Sequence, residues 1–223
     1  MMLSRIGKRN FQGMPWMTFS LLLLSAFAGQ ALAQSNRWQQ RIAYKMNVQL
    51  DVNTNILTGT QEIKYTNHSP DTLSRIFFHT YWNAFQPGSS MDVRSQELGK
   101  TQIGTARDGT PTFDWDRRVR DRIGELQPDE IGYTRIRSLT IGGREQKMTD
   151  HETILEVTPD RPILPGQTVT MQTRWESQVP IQIRRSGRDN AEGVRYTMTQ
   201  WYPKVCEYDR DGWHPNPYIA REF

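Results

Sequence analysis

Residues 42–52 alternate strictly between two phases. Ile42, Tyr44, Met46, Val48, Leu50 and Val52 fall in one phase, and Ala43, Lys45, Asn47, Gln49 and Asp51 in the other. A period of two sends one set of side chains to each face of a strand, whereas a helix would scatter the apolar set around its surface. A strand with one apolar face needs both a pairing partner and a covering layer. The chain supplies candidates at once. Asn53-Thr54-Asn55 reads as a turn, and 56–66 resumes with Leu57, Ile63 and Tyr65 in phase. Asn67-His68-Ser69-Pro70-Asp71 is a second turn, followed by a strand over 73–81 whose Ile76-Phe77-Phe78 run suggests burial on both faces. Three strands joined by short turns predict an antiparallel meander.

The rhythm breaks over 82–133, which is polar, charged and glycine-containing. Two short helices are expected there, near 91–98 and 119–126, the second from the spacing of Val119, Ile123 and Leu126. So long an excursion inside one domain is often functional or partner-facing. Strands return at 134–141, closed by Gly142-Gly143, then at 153–158 and 167–177 on either side of a turn with Pro162 and Pro165. Asp189-Asn190 punctuates before another strand at 193–199. The predicted fold is mainly β, an antiparallel β-sandwich with a mostly irregular, partly helical insertion at 82–133.

The N-terminus reads as an export signal. Arg5, Lys8 and Arg9 precede an apolar stretch over 16–28, and Ala31-Leu32-Ala33 is a small-x-small cleavage site. Cleavage would leave residues 34–223 as the exported domain, with no membrane span and a periplasmic or secreted bacterial location. The apolar core falls short of the ~20 residues that a spanning helix needs. Those three cations also supply most of the formal charge of +4. The remainder is close to neutral and has no basic run. Arg117, Arg118, Arg120 and Arg122 alternate with Asp114, Asp116 and Asp121, a self-paired pattern that does not track a nucleic-acid backbone.

One cysteine excludes a disulfide framework and a multi-cysteine metal site. There is no G-x-S-x-G, no P-loop and no G-x-G-x-x-G. His151-Glu152 opens like a zinc-binding helix, but Leu155 stands where the second histidine is needed, so His151 reads as a turn residue. Asp209-Arg210-Asp211-Gly212 opens like a calcium loop but continues Trp213-His214-Pro215, so an ordinary glycine turn is expected. Cys206 reads as a small buried hydrophobe. No catalytic residue, metal ligand or cofactor is therefore assigned to this chain. Tyr196, Trp201, Tyr202, Tyr208, Trp213, Tyr218 and Phe223 crowd the C-terminal segment. They either close the core or line a cleft or interface, where such rings give large contact area. A free-standing secreted sandwich that binds a glycan through these rings is one reading.

The other comes from an ordered set of segments. Tyr44-Lys45-Met46-Asn47-Val48 leads to Leu57-Thr58-Gly59, then Tyr65-Thr66-Asn67-His68-Ser69-Pro70-Asp71-Thr72-Leu73. Phe78-His79-Thr80-Tyr81-Trp82-Asn83-Ala84-Phe85 follows, and Gln200-Trp201-Tyr202-Pro203-Lys204, Tyr208-Asp209 and Gly212-Trp213 close the set. In this order they resemble the N-terminal β-domain of the M1 family of zinc metallopeptidases, the gluzincin aminopeptidases, over 40–223. The resemblance implies a saddle-like antiparallel β-domain followed by a catalytic domain of the same polypeptide. That second domain would carry the H-E-x-x-H zinc site, with zinc in the complete protein and a peptide substrate. The chain is then expected to be a fragment of a longer protein and inactive alone. The resemblance also implies that the segment Thr199-Gln200-Trp201-Tyr202 reaches the substrate's free α-amine. Gln200 has the carboxamide oxygen that an ammonium requires. Tyr202 stands where the family's usual second amide would be.

Overall fold

The computed structural model describes residues 38–113, 122–183 and 185–219. The export segment, Val119 of the second expected helix, the charges at 114–121 and Phe223 lie outside the described residues. Strands β1 (Arg41–Asp51) and β2 (Ile56–Thr66) form a hairpin. The chain then crosses to β3 (Ile76–His79), a 3-10 turn (Tyr81–Ala84) and helix α1 (Ser90–Lys100). A ribbon of β4 (Gln102–Thr105) and β5 (Pro111–Phe113) follows. Next come β6 (Tyr133–Ile141), β7 (Arg144–Glu145), β8 (Lys147–His151), β9 (Ile154–Thr158) and β10 (Thr168–Gln178). The C-terminal part holds β11 (Gly187–Arg188), β12 (Tyr196–Thr197), β13 (Lys204–Val205), β14 (Tyr208–Asp209) and β15 (Gly212–Trp213).

Two antiparallel sheets carry the fold. One has the order β1-β2-β10-β6-β7 and the other β13-β3-β9-β8. The meander expectation is corrected here. β3 pairs with β9 and β13, not with β2, because the turn after β2 runs on until Leu73 bridges Ile163. The alternation of β1 holds through Met46, but Val48 is 39% exposed at the sheet edge and Val52 is 51% exposed in the turn. An edge strand has less to cover it than a central one. The strand expected at 193–199 shrinks to Tyr196–Thr197 because its partner, β11, offers only two residues. Arg122 to Glu125, within the second expected helix, form a turn. The expected glycine turns do form: Gly142-Gly143 connects β6 to β7 with positive φ at both residues, as a two-residue hairpin favours.

The sheets face each other across Ile63, Tyr65, Leu139 and Met171 from one side and Ile76, Phe78, Leu155, Val157 and Val205 from the other. A second core lies at the opposite end of β2 and β10. There Leu57 and Trp175 meet Trp82, Phe85, Met91, Ile123 and Leu126, all from the 82–133 stretch. These parts of the insertion form a packed cap, while its β4–β5 ribbon is exposed. Between the two cores the Trp175 indole crosses directly over Gly59, its cross-strand neighbour. A Cβ at position 59 would come within 2.3 Å of the ring.

Helix α1 has local and distant supports. Ser89 caps it by accepting from the Asp92 amide at 3.1 Å, and buried Asp92 accepts from the Gly88 amide at 2.9 Å. Glu152, in the β8–β9 turn at φ 65°, accepts from the Ser90 amide and hydroxyl at 2.9 and 2.7 Å. Its backbone carbonyl accepts from Asn83 Nδ2 at 2.7 Å.

Candidate functional site

The segment 199–202 leaves the sheet in an irregular bend. Gln200 takes φ 57°, in the left-handed region that a residue with a Cβ occupies only when its neighbours are fixed. Here they are fixed. The Thr199 carbonyl accepts from Trp82 Nε1 at 3.1 Å and from Ser186 Oγ at 2.9 Å, and the Thr199 amide donates back to Ser186 Oγ at 3.2 Å. On the other side the Trp201 ring packs on Trp175, centroids 5.9 Å apart. The backbone is anchored from both directions and the Gln200 side chain stands exposed. Its Oε1 lies 3.5 Å from Lys204 Nζ.

Gln200 and Tyr202 part company in space. Tyr202 turns to the second core, the cap, edge-on to Trp201 at 5.1 Å and to Tyr44 at 5.7 Å. Gln200 instead lines a cleft of about 330 Å³ with His79, Tyr81, Glu207, His214, Asn216 and Tyr218. Gln200 lies beyond the strand expected at 193–199, and its φ keeps it out of a ladder.

The cleft wall is built by pairing. β13 brings Lys204 opposite His79 on β3. The His79 ring stacks on Tyr81 at 4.6 Å, and Tyr81 meets Tyr218 edge-on at 5.4 Å. His79 is only 9% exposed and its Nδ1 has no hydrogen-bond partner. Burial, reinforced by the positive charge of Lys204, pushes its pKa down to about 4, so the imidazole is neutral near pH 7. His214 behaves oppositely. Its Nε2 lies 2.8 Å from Asp209 Oδ1, and that contact raises the histidine while lowering the carboxyl. Lys204 Nζ stands 5.4 Å above the Tyr81 ring. Cys206 is buried, with its thiol pushed up to about 12 by burial, which leaves it no thiolate for nucleophilic work. Sequence reasoning assigned no role to His79 or Glu207. A histidine ending the apolar run Ile76-Phe77-Phe78 was the available signal for His79.

The remaining C-terminal rings are mostly spent on packing. Trp213 stacks with Tyr65 at 6.4 Å and meets Tyr208 at 5.0 Å. Tyr196 donates its hydroxyl to Asn55 at 2.7 Å. Asp209 to Gly212 close the β14–β15 hairpin, with Gly212 at φ 101°. His151 ends β8 and pairs with Glu156 at 3.3 Å on the exposed sheet face. Among the described residues, no group of three or more His, Cys, Asp or Glu side chains is placed to hold a metal ion. The described side chains therefore do not make up a zinc site. Among the described residues, no helix is long and apolar enough to cross a membrane.

No family model and no curated protein matches the sequence. Solved structures do. The M1 zinc metallopeptidase of Deinococcus radiodurans, as a variant bound to a Tyr-Ser-Ala substrate, aligns at 13% identity with a TM-score of 0.40. The alignment covers 81% of this chain and 29% of that one. A two-domain M1 zinc metallopeptidase variant bound to L-tryptophan aligns at 14% identity and TM-score 0.39, covering 81% of this chain and 30% of its own. The chain thus spans under a third of these proteins' length. At such identity and TM-score the likeness carries no argument about activity or substrate.

Proposed function

We propose that this chain is the non-catalytic N-terminal β-domain of an exported, periplasmic or secreted, M1-type zinc metallopeptidase with aminopeptidase activity. On this reading the domain packs on a catalytic domain of the same polypeptide, which holds the zinc. It presents Gln200 to the free α-ammonium of a peptide substrate. The ordered sequence resemblance supports the family. The observation that carries the role is the state of Gln200: its backbone is tied down through Thr199 and Trp201, while its carboxamide is exposed and its oxygen already faces an ammonium, that of Lys204, at 3.5 Å. A fixed backbone spends little entropy when the side chain engages a ligand.

The test is made on the complete polypeptide. Gln200→Ala should lower kcat/KM for peptides with a free N-terminus by about 10- to 150-fold, the worth of a hydrogen bond to a charged group. N-acetylated peptides should lose far less, and zinc content should not change. Equal losses on both substrates would make Gln200 structural. A larger effect from Tyr202→Phe would transfer the role to Tyr202.

A further inference from the structure

The edges of the two main sheets are β1 and β7 in one and β13 and β8 in the other. Three of them are blunted. β7 and β13 have two residues each, and the five residues of β8 are mostly polar. Short or polar edges offer another strand little to pair with. β1 is the exception. It runs for 11 residues and pairs with β2 without a bulge or a proline. Among the described residues, no strand lies on its other side. Its apolar face is also incompletely covered. Ile42, Tyr44, Met46 and Leu50 are half-buried and Val48 is 39% exposed, whereas Tyr65, Ile63 and Leu57, opposite Ile42, Tyr44 and Leu50, are buried.

The sequence of β1 is complementary to itself. Met46 is its midpoint, and a two-fold axis there sets the strand antiparallel to a second copy over its whole length. Arg41 then faces Asp51 of the second copy, at both ends of the pair. On the apolar face Ile42 meets Leu50 and Tyr44 meets Val48, and on the polar face Lys45 meets Asn47. Other registers are worse. An axis at Lys45 sets the two lysines against each other, and an axis at Asn47 leaves Arg41 beyond the end of its partner strand. Asp51 is ready for the contact. Its Oδ1 accepts from the Asn53 amide at 2.8 Å, which holds the carboxyl below its ordinary range and keeps it ionised. We propose that β1 is an interface for a second copy of this chain, the two strands pairing antiparallel about Met46 into one continuous sheet. The proposal does not rest on the function proposed above.

The experiment is sedimentation of the purified chain from micromolar to submillimolar concentration, where a reversible monomer–dimer equilibrium is expected. Arg41→Asp and Asp51→Arg should each weaken it about 10-fold, since each sets like charges together at both ends of the pair. The double variant should regain the wild-type association. Within one chain these two residues lie about 33 Å apart along the strand, so the rescue can come only through a second copy. A cysteine pair gives a readout that leaves Asp51 and its turn untouched. Under mild oxidation Met46→Cys should form a disulfide-linked dimer, because the axis sets position 46 against itself. Val48→Cys should not, because it faces position 44. Cys206 is buried with its thiol pushed up to about 12 and does not compete. A chain that stays monomeric throughout, charge reversals that leave association unchanged, a folded double variant that fails to regain it, or Val48→Cys linking as readily as Met46→Cys would each overturn the proposal.

Discussion

The two cores of this domain differ in what makes them. The core between the sheets is assembled by long strands in register, with Ile63, Tyr65 and Met171 drawn from period-two segments. The cap core is assembled by a short 3-10 turn, one helix and turns, with Trp82, Phe85, Met91 and Ile123 arriving at no fixed spacing. The first kind of core is held by many antiparallel ladder bonds and tolerates the loss of one contact. The second depends on a few side-chain hydrogen bonds that reach across sequence, such as Trp82 Nε1 to Ser186 Oγ at 2.9 Å. The Gln200 cleft lies beside the cap, so the functional segment leans on the less redundant half.

Three perturbations test this division. Acid should give the largest effect. His79 is depressed in the folded state to about 4, from an ordinary 6.5. For a base, that means the unfolded state binds the proton first as pH falls. Stability is therefore intact above pH 6.5 and is lost between 6.5 and 4, by about 3 kcal/mol at the lower limit. His79→Gln should flatten that part of a plot of unfolding free energy against pH. An unchanged slope would remove His79 from the account. Gly59→Ala comes next, at about 2–3 kcal/mol, since the Trp175 ring is not a flexible neighbour and must move. Because Gly59 sits between the cores, amide protection should fall in both. Protection lost in the cap alone would show that the sheets are independent of this contact. Trp82→Phe is the mildest, at about 1 kcal/mol, because it removes the indole N–H shared by the Ser186 hydroxyl and the Thr199 carbonyl, which keep each other as partners, and leaves a ring in place. It should loosen residues 199–201 and leave β2 and β10 protected. Uniform loss across the sheets would contradict the division.

The same division explains what was legible in advance. Strands β1, β2, β6, β9 and β10 announce themselves by alternation or β-branched runs, and their turns by Gly, Asn and Pro. β8 does not, because Lys147-Met148-Thr149-Asp150-His151 is mostly polar and lies on an exposed edge of its sheet. Which sheet β3 joins was not readable either: periodicity fixes a strand's faces and says nothing about its partner. The cap residues carry no period, so 82–133 looked like an excursion. At the candidate site, Gln200 was found by resemblance. That Tyr202 points away from it, two residues along an irregular bend, depends on a φ that no propensity scale encodes. His79, Glu207 and Lys204 come together only through the β3–β13 pairing and the turn after it.

Glu152 has a consequence for how the molecule comes into being. The helix that it steadies ends at Lys100, yet the acceptor for the Ser90 amide belongs to a turn 62 residues later. During synthesis that helix emerges long before its anchor, and an isolated segment of this length is marginal in water. The cap must then wait for the β8–β9 hairpin, making the order of assembly run backwards along the chain. In pulse-labelled refolding, the amides of 91–98 should gain protection together with β9 and never before it. Early protection of the helix alone would refute that order.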